Sequence, residues 1–173
     1  MSDDDTRVRA DERRRLLAEF ELERNQLLRN IETCRLRDFT HPFIGEWSVL
    51  DIVDHVAKSD AAAAATLRAY RGGRVEGLPS FSCDEPPTPT PRDVGQLSPA
   101  LERLQQTRDA LVNAIAEFSD EELTAEGSFP PQLIQACTEH DKLHWHDIAA
   151  KLAGMAAARR NGPPGQQSPS SDS

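Results

Sequence analysis

The chain has 173 residues, 38% of them hydrophobic, enough for one domain around a single core. Its formal net charge of -9 and pI near 5.0 set up a field that repels phosphate backbones, and no concentrated basic patch offsets it, which argues against a nucleic-acid partner. No apolar run approaches the roughly 20 residues of a membrane span, and the opening Ser2-Asp3-Asp4-Asp5 is unlike an export signal, so a cytoplasmic protein is expected.

From about Arg9 to Cys34 the chain reads as a first amphipathic helix, with Leu16, Leu17, Phe20, Leu27, Leu28 and Ile31 on one side. The basic run Arg13 to Arg15 is flanked by Asp11, Glu12 and Glu19 and reads as a solvated face. Asp38, His41, Pro42 and Gly45 then mark a turn. Ser48 with Asp51 three residues on predicts the capped start of a second helix, because a hydroxyl and a carboxylate at that spacing satisfy free backbone amides. It carries Val49, Ile52, Val53, Val56, an alanine run over 61–65, Leu67 and Tyr70, and stops at Gly72-Gly73. The alanines predict close helix approach.

Residues 71–92 are rich in Gly, Pro and Ser and lack an apolar period, so they are expected to form a long connection, either a functional lid or disordered. Ser98-Pro99 predicts the N-cap and first position of a third helix that continues through Leu101, Leu104, Arg108, Leu111 and Ile115 to Phe118. Ser119 to Glu122 caps a short turn. Pro130-Pro131 opens a fourth helix running to about Ala158. The Gly/Pro/Ser/Gln tract beyond it cannot bury apolar surface, so 159–173 is expected as a disordered tail and 1–158 as one folded unit. With no strand signal and no repeat, the expected class is all-α, an antiparallel four-helix bundle. Cys34, Cys83 and Cys137, odd in number and scattered, fit reduced thiols rather than a disulfide framework.

The fourth helix holds the chemistry. Leu133, Cys137, His140, His144, Ile148 and Leu152 step by three or four, so His140 and His144 fall on the inward stripe, one turn apart, able to aim at one point. Buried imidazoles need partners, which either a metal ion or buried carboxylates and water supply. Should helices two and four be neighbours, His55 joins them in an open three-imidazole site of the catalytic kind. Three neutral imidazoles accept Zn, Ni, Fe or Co, and ligand type alone does not rank them.

Glu46-Trp47-Ser48-Val49-Leu50-Asp51-Ile52-Val53-Asp54-His55-Val56-Ala57 resembles the tryptophan-to-histidine signature that opens helix two of the DinB/YfiT-like superfamily. His140-Asp141-Lys142-Leu143-His144, followed by Ile148, is similar to that superfamily's HxxxH on its last helix. The likeness spans roughly residues 10 to 155. It implies a bundle of up-down-down-up topology, a divalent ion held by His55, His140 and His144, and frequent homodimers. Characterised members of the superfamily include thiol-dependent transferases and isomerases that use a low-molecular-weight thiol, and self-resistance proteins that open reactive small rings. The resemblance therefore implies a metal-dependent enzyme, foremost a thiol-dependent S-transferase acting on a small electrophile. A metal-dependent hydrolase and a non-catalytic small-molecule-binding bundle are the alternatives.

Other residues carry weaker signals. Cys137 lies one turn before His140 and either approaches the ion or is a small buried thiol. Glu139 and Asp147 are read as partners orienting imidazoles or as surface carboxylates. Arg108 interrupts an apolar stripe and is expected to snorkel to water, the alternative being a cavity position facing an anionic substrate. His146 is expected in solvent, His41 in a loop before Pro42 with a distant fourth ligand as the weaker alternative, and Trp47 and Trp145 against helix ends rather than stacked on a ligand.

Overall fold

The computed structural model describes residues 3–74 and 92–160. Four long helices and one short one account for most of them: α1 (Asp3–Glu32), α2 (Val49–Arg71), α3 (Leu97–Ala116), the short α4 (Asp120–Thr124) and α5 (Phe129–Arg160). No strand occurs among the described residues beyond an isolated bridge between Ile44 and Trp47. Nor is any described helix long and apolar enough to cross a membrane. The expected lid or disorder over 71–92 falls mainly on 75–91, and the expected tail mainly on 161–173, both outside the described residues; α5 itself reaches Arg160.

Local chemistry sets the helix ends. Ser48 Oγ accepts from Asp51 N at 3.2 Å while Asp51 Oδ2 accepts from Ser48 N at 2.8 Å, the reciprocal pair expected from the sequence. Gly45, at φ 57°, supplies the turn that lets Phe43 N donate to Trp47 O just before that cap. At the other end Gly73, at φ 70°, lets Arg74 N reach Ala69 O and its own N reach Tyr70 O, which satisfies carbonyls the helix leaves free.

Two ends differ from expectation. α1 begins at Asp3 rather than near Arg9, because Asp4 and Asp5 favour the positive end of a helix and Arg9 and Arg13 reach Glu121 and Asp120 on α4. Ser98 does not cap α3. Asp93 instead caps a 3-10 turn over Val94–Gln96, and α3 continues directly from it, leaving Ser98 inside the first turn and within 3.4 Å of Glu102.

Side-chain reach fixes the helix directions. Arg92 binds Asp51 and Asp54 at the start of α2, while Arg68 and Arg71 near its end reach the carbonyls of Ala110 and Glu117, so α2 and α3 run parallel. Arg13 meets Asp120 and Glu23 meets Trp145, so α1 and α5 run parallel too. Leu27, Ile31 and Ile148, from the second halves of α1 and α5, pack with Val49, Val53 and Leu104 from the first halves of α2 and α3. The antiparallel relation therefore holds between two parallel pairs, the up-down-down-up order that the resemblance implied. A helix of 23 residues is about 35 Å long, so the end of α2 and the start of α3 lie at opposite ends of the bundle.

A second apolar cluster fills the opposite end, with Phe20, Leu67, Leu111, Leu123 and Leu133, and with Ala63 and Ala64 as the two buried members of the alanine run. Truncating a side chain such as Leu27 or Leu133, both fully buried, costs about 2–5 kcal/mol in a site of this kind. α2 packs closely on α3, α1 on α5, and α2 less extensively on α5, whereas the backbones of α1 and α3 stand farther apart and meet through side chains. One side of the bundle is thus a seam and the opposite side a cleft.

Candidate metal centre

The seam between α2 and α5 holds three histidines. His140 and His144 sit on the inward stripe of α5 and are buried; His55, from the second turn of α2, is half-buried. Trp47 packs edge-on against His55, with ring centroids 5.1 Å apart and planes at 90°. That contact fixes the imidazole as the chain enters α2.

The rings converge through their Nε2 atoms. His55 Nε2 lies 2.8 Å from His140 Nε2, and His144 Nε2 lies 3.1 Å from the same atom. One ligand nitrogen from each of the three lies within 4.8 Å of the others. Nitrogens bound to one tetrahedral ion at about 2.0–2.1 Å are about 3.3 Å apart, so the arrangement is close to that of a ligand set. Two facing neutral imidazole nitrogens can share only one proton between them, while a cation accepts lone pairs from all three.

Charge favours the same chemistry. Burial, then the neighbouring imidazoles, holds both His140 and His144 down to about 3, and burial with Lys58 lowers His55. At neutral pH all three present unprotonated rings, the form that ligates.

One residue along from His140 begins a different constellation. Asp141 takes a forked pair of bonds from Arg24 (Nε to Oδ2 at 3.0 Å, Nη2 to Oδ1 at 2.9 Å) and a third from Arg108 Nη2 at 3.0 Å. Asp60 lies 3.3 Å from Arg108 Nη1 through Oδ1. Its Oδ2 is 2.9 Å from Arg24 Nη2, close enough for an ion pair but too bent for a hydrogen bond, and has no hydrogen-bond partner among the described residues. Burial pushes the Asp60 carboxyl up. For Arg24 burial opposes the charge, yet Asp141 and Asp60 outweigh it and its pKa is raised; burial and the facing Arg24 lower that of Arg108. Arg108 also donates to Phe20 O at 3.0 Å and stacks over the Phe20 ring at 3.6 Å. The expectation that Arg108 snorkels is therefore corrected: it is 7% exposed and anchored to two carboxylates.

The remaining candidates separate cleanly. Cys137 is buried in the apolar cluster beyond Asp141 and does not belong to the converging ligand group; burial raises its thiol to about 12. Glu139 faces outward, 3.6 Å from Lys142, and Asp147 is exposed, so neither stands behind an imidazole. His146 is exposed and stacks on Trp145 at 3.8 Å, and His41 lies in the exposed turn beside Thr40. Cys83 falls outside the described residues.

Sequence reading missed the Arg24, Asp60 and Asp141 ensemble. Its signal was present: each stands where an apolar residue belongs, Arg24 between Phe20 and Leu27, Asp60 between Val56 and Ala63, Asp141 between Cys137 and His144. It also missed Arg92, which clasps Asp51, one turn before His55 (Nε to Oδ1, 2.8 Å), and Asp54, the residue next to it (Nη1 to Oδ2, 2.7 Å).

A family model of the DinB superfamily matches residues 19–148, well over half of the chain and a span that includes His55, His140 and His144. Neither a search of curated proteins nor one of solved structures returned a match.

Proposed function

The chain belongs to the DinB superfamily, and on that footing we propose that it is a divalent-metal-dependent enzyme, a thiol-dependent S-transferase acting on a small electrophilic molecule. The observation that carries the reading is the meeting of His55, His140 and His144 at their ring nitrogens in a largely buried seam. Among the described residues the group offers three ligands, which leaves positions for an exchangeable partner, as catalytic sites do and structural ones do not. His55, His140 and His144 would hold a divalent cation there, and it would supply Lewis acidity toward a thiol or water at neutral pH.

Among the described residues the chain's own groups hold and orient rather than attack. Cys137 and Cys34, raised by burial to about 12 and about 11, are poor nucleophiles, which favours a thiol delivered from solution. Trp47 fixes the plane of His55, and Asp141, locked between two arginines, fixes the rotation of α5 that directs His140 and His144 to the seam.

The test is consumption of an epoxide by the metal-loaded protein, with and without a low-molecular-weight thiol, alongside chelated protein and His140→Ala. Expected is turnover that needs both thiol and metal and is lost in the variant. Metal-dependent turnover indifferent to added thiol would replace the transferase with a hydrolase. Stoichiometric protection without turnover would leave a binding protein.

A further inference from the structure

The cleft on the far side of the bundle, between α1 and α3, has a volume of about 270 Å³. Its walls are apolar, formed by Leu28, Ile31, Phe39, Leu97, Leu101 and Leu104, and its floor carries Arg24 and Arg108. Neither Asp60 nor Asp141 lines it. Asp60 belongs to α2 and Asp141 to α5, whereas the two arginines come from α1 and α3. The buried charges are thus neutral in sum but polarised across the bundle, with the guanidinium side toward the cleft and the carboxylate side toward the histidine seam.

The hydrogen-bond inventory points the same way. Arg24 uses Nε and Nη2, and Arg108 uses Nη1 and Nη2, for the carboxylates and Phe20 O. Among the described residues no oxygen accepts from Arg24 Nη1 or Arg108 Nε. Neither nitrogen is among the sealed polar atoms that lack a partner, which are carboxylate oxygens of Asp54 and Asp60. Two cationic residues, 5% and 7% exposed, therefore keep a free donor each at the base of an apolar cleft. Charge-assisted bonds to such donors are strong because solvent does not screen them.

We propose that this cleft is a second ligand site, which takes a small molecule with a carboxylate head and an apolar body. The carboxylate accepts from Arg24 and Arg108 at the floor, and the body covers the leucine and isoleucine walls. The volume lies just below that of drug-sized pockets, about 300 Å³ upward, so the occupant is smaller than these. The rim holds Glu32 and Gln105, so a carboxylate presented outward would meet Glu32; it is accommodated only when pointed inward. The proposal stands apart from the metal reading and survives its failure.

The test uses octanoate, with octan-1-ol as its uncharged counterpart, titrated calorimetrically into metal-loaded and chelator-treated full-length protein. Octanoate is expected to bind about tenfold or more tightly than the alcohol, equally in both protein forms and in His140→Ala. Leu101→Trp, which fills the cleft from its rim without touching the buried charges, is expected to weaken it about tenfold. Gln105→Glu, at an exposed position, is expected to weaken octanoate several-fold and leave octan-1-ol unchanged. Equal binding of acid and alcohol, indifference to Leu101→Trp, or loss of octanoate binding on chelation would each overturn the proposal.

Discussion

Two polar groups interrupt the same core within one turn of α5, and they differ in kind. The first, Arg24, Asp60, Arg108 and Asp141, draws one residue from each of the four long helices and balances two cations with two anions. The second, His55, His140 and His144, draws on two helices and gathers three groups of the same kind, whose protonation would only make them repel one another. A set of opposite charges completes itself. A set of like donors is complete only when something else arrives, so the first holds the helices together whether or not the α1–α3 cleft is filled, and the second waits for an ion.

The comparison is easiest to break at Asp141. Asp141→Asn removes one of the two buried anions that meet both arginines and leaves one positive charge uncompensated, with an expected loss of about 3–5 kcal/mol in urea unfolding. His140→Ala, one residue away, should leave the metal-free protein far closer to its starting stability, because the ring it removes is neutral. Equal losses at the two positions would erase the distinction.

Metal removal sharpens it next. The loaded protein should be more stable than the chelated one, by about 2.7 kcal/mol when free ion is a hundredfold above its Kd. His144→Ala should abolish that gain, while the Arg24 to Asp141 contacts persist with or without metal.

Acid separates the groups further. His140 and His144 titrate near 3 in the folded chain and at 6.5 when unperturbed, so below pH 6.5 the unfolded state binds more protons than the folded one. Metal-free protein should therefore lose stability progressively as pH falls from 6.5 toward 3, with no contribution from these groups above 6.5. A His140→Ala, His144→Ala double variant should show a shallower decline over that window. The smallest effect lies outside both groups: Ser48→Ala removes one capping acceptor from α2 and should cost about 1 kcal/mol by thermal unfolding.

How far the sequence foretold these regions follows from how each is encoded. His140 and His144 were readable because both ligands lie on one helix at its own period, and the capped start of α2 because Ser48 and Asp51 act over three residues. His55 was readable only on condition that α2 and α5 are neighbours, as they are. The charge group was not, since each member alone is only a misplaced charge on an apolar stripe. Its sense as a balanced set depends on which helices face one another, and the periodicity of a single helix holds no such information. Arg108 shows the consequence: with no visible partner, snorkelling was the economical reading. Ser98 failed for a local reason, because Asp93 captures the start of the segment one turn earlier.

The most direct test of the account is elemental analysis of the purified full-length protein beside His140→Ala. The account predicts about one divalent ion per chain in the unsubstituted protein and almost none in the variant, with folding retained. Negligible metal in the unsubstituted protein after growth with Zn, Ni and Fe supplied, or an unchanged content in the variant, would contradict it.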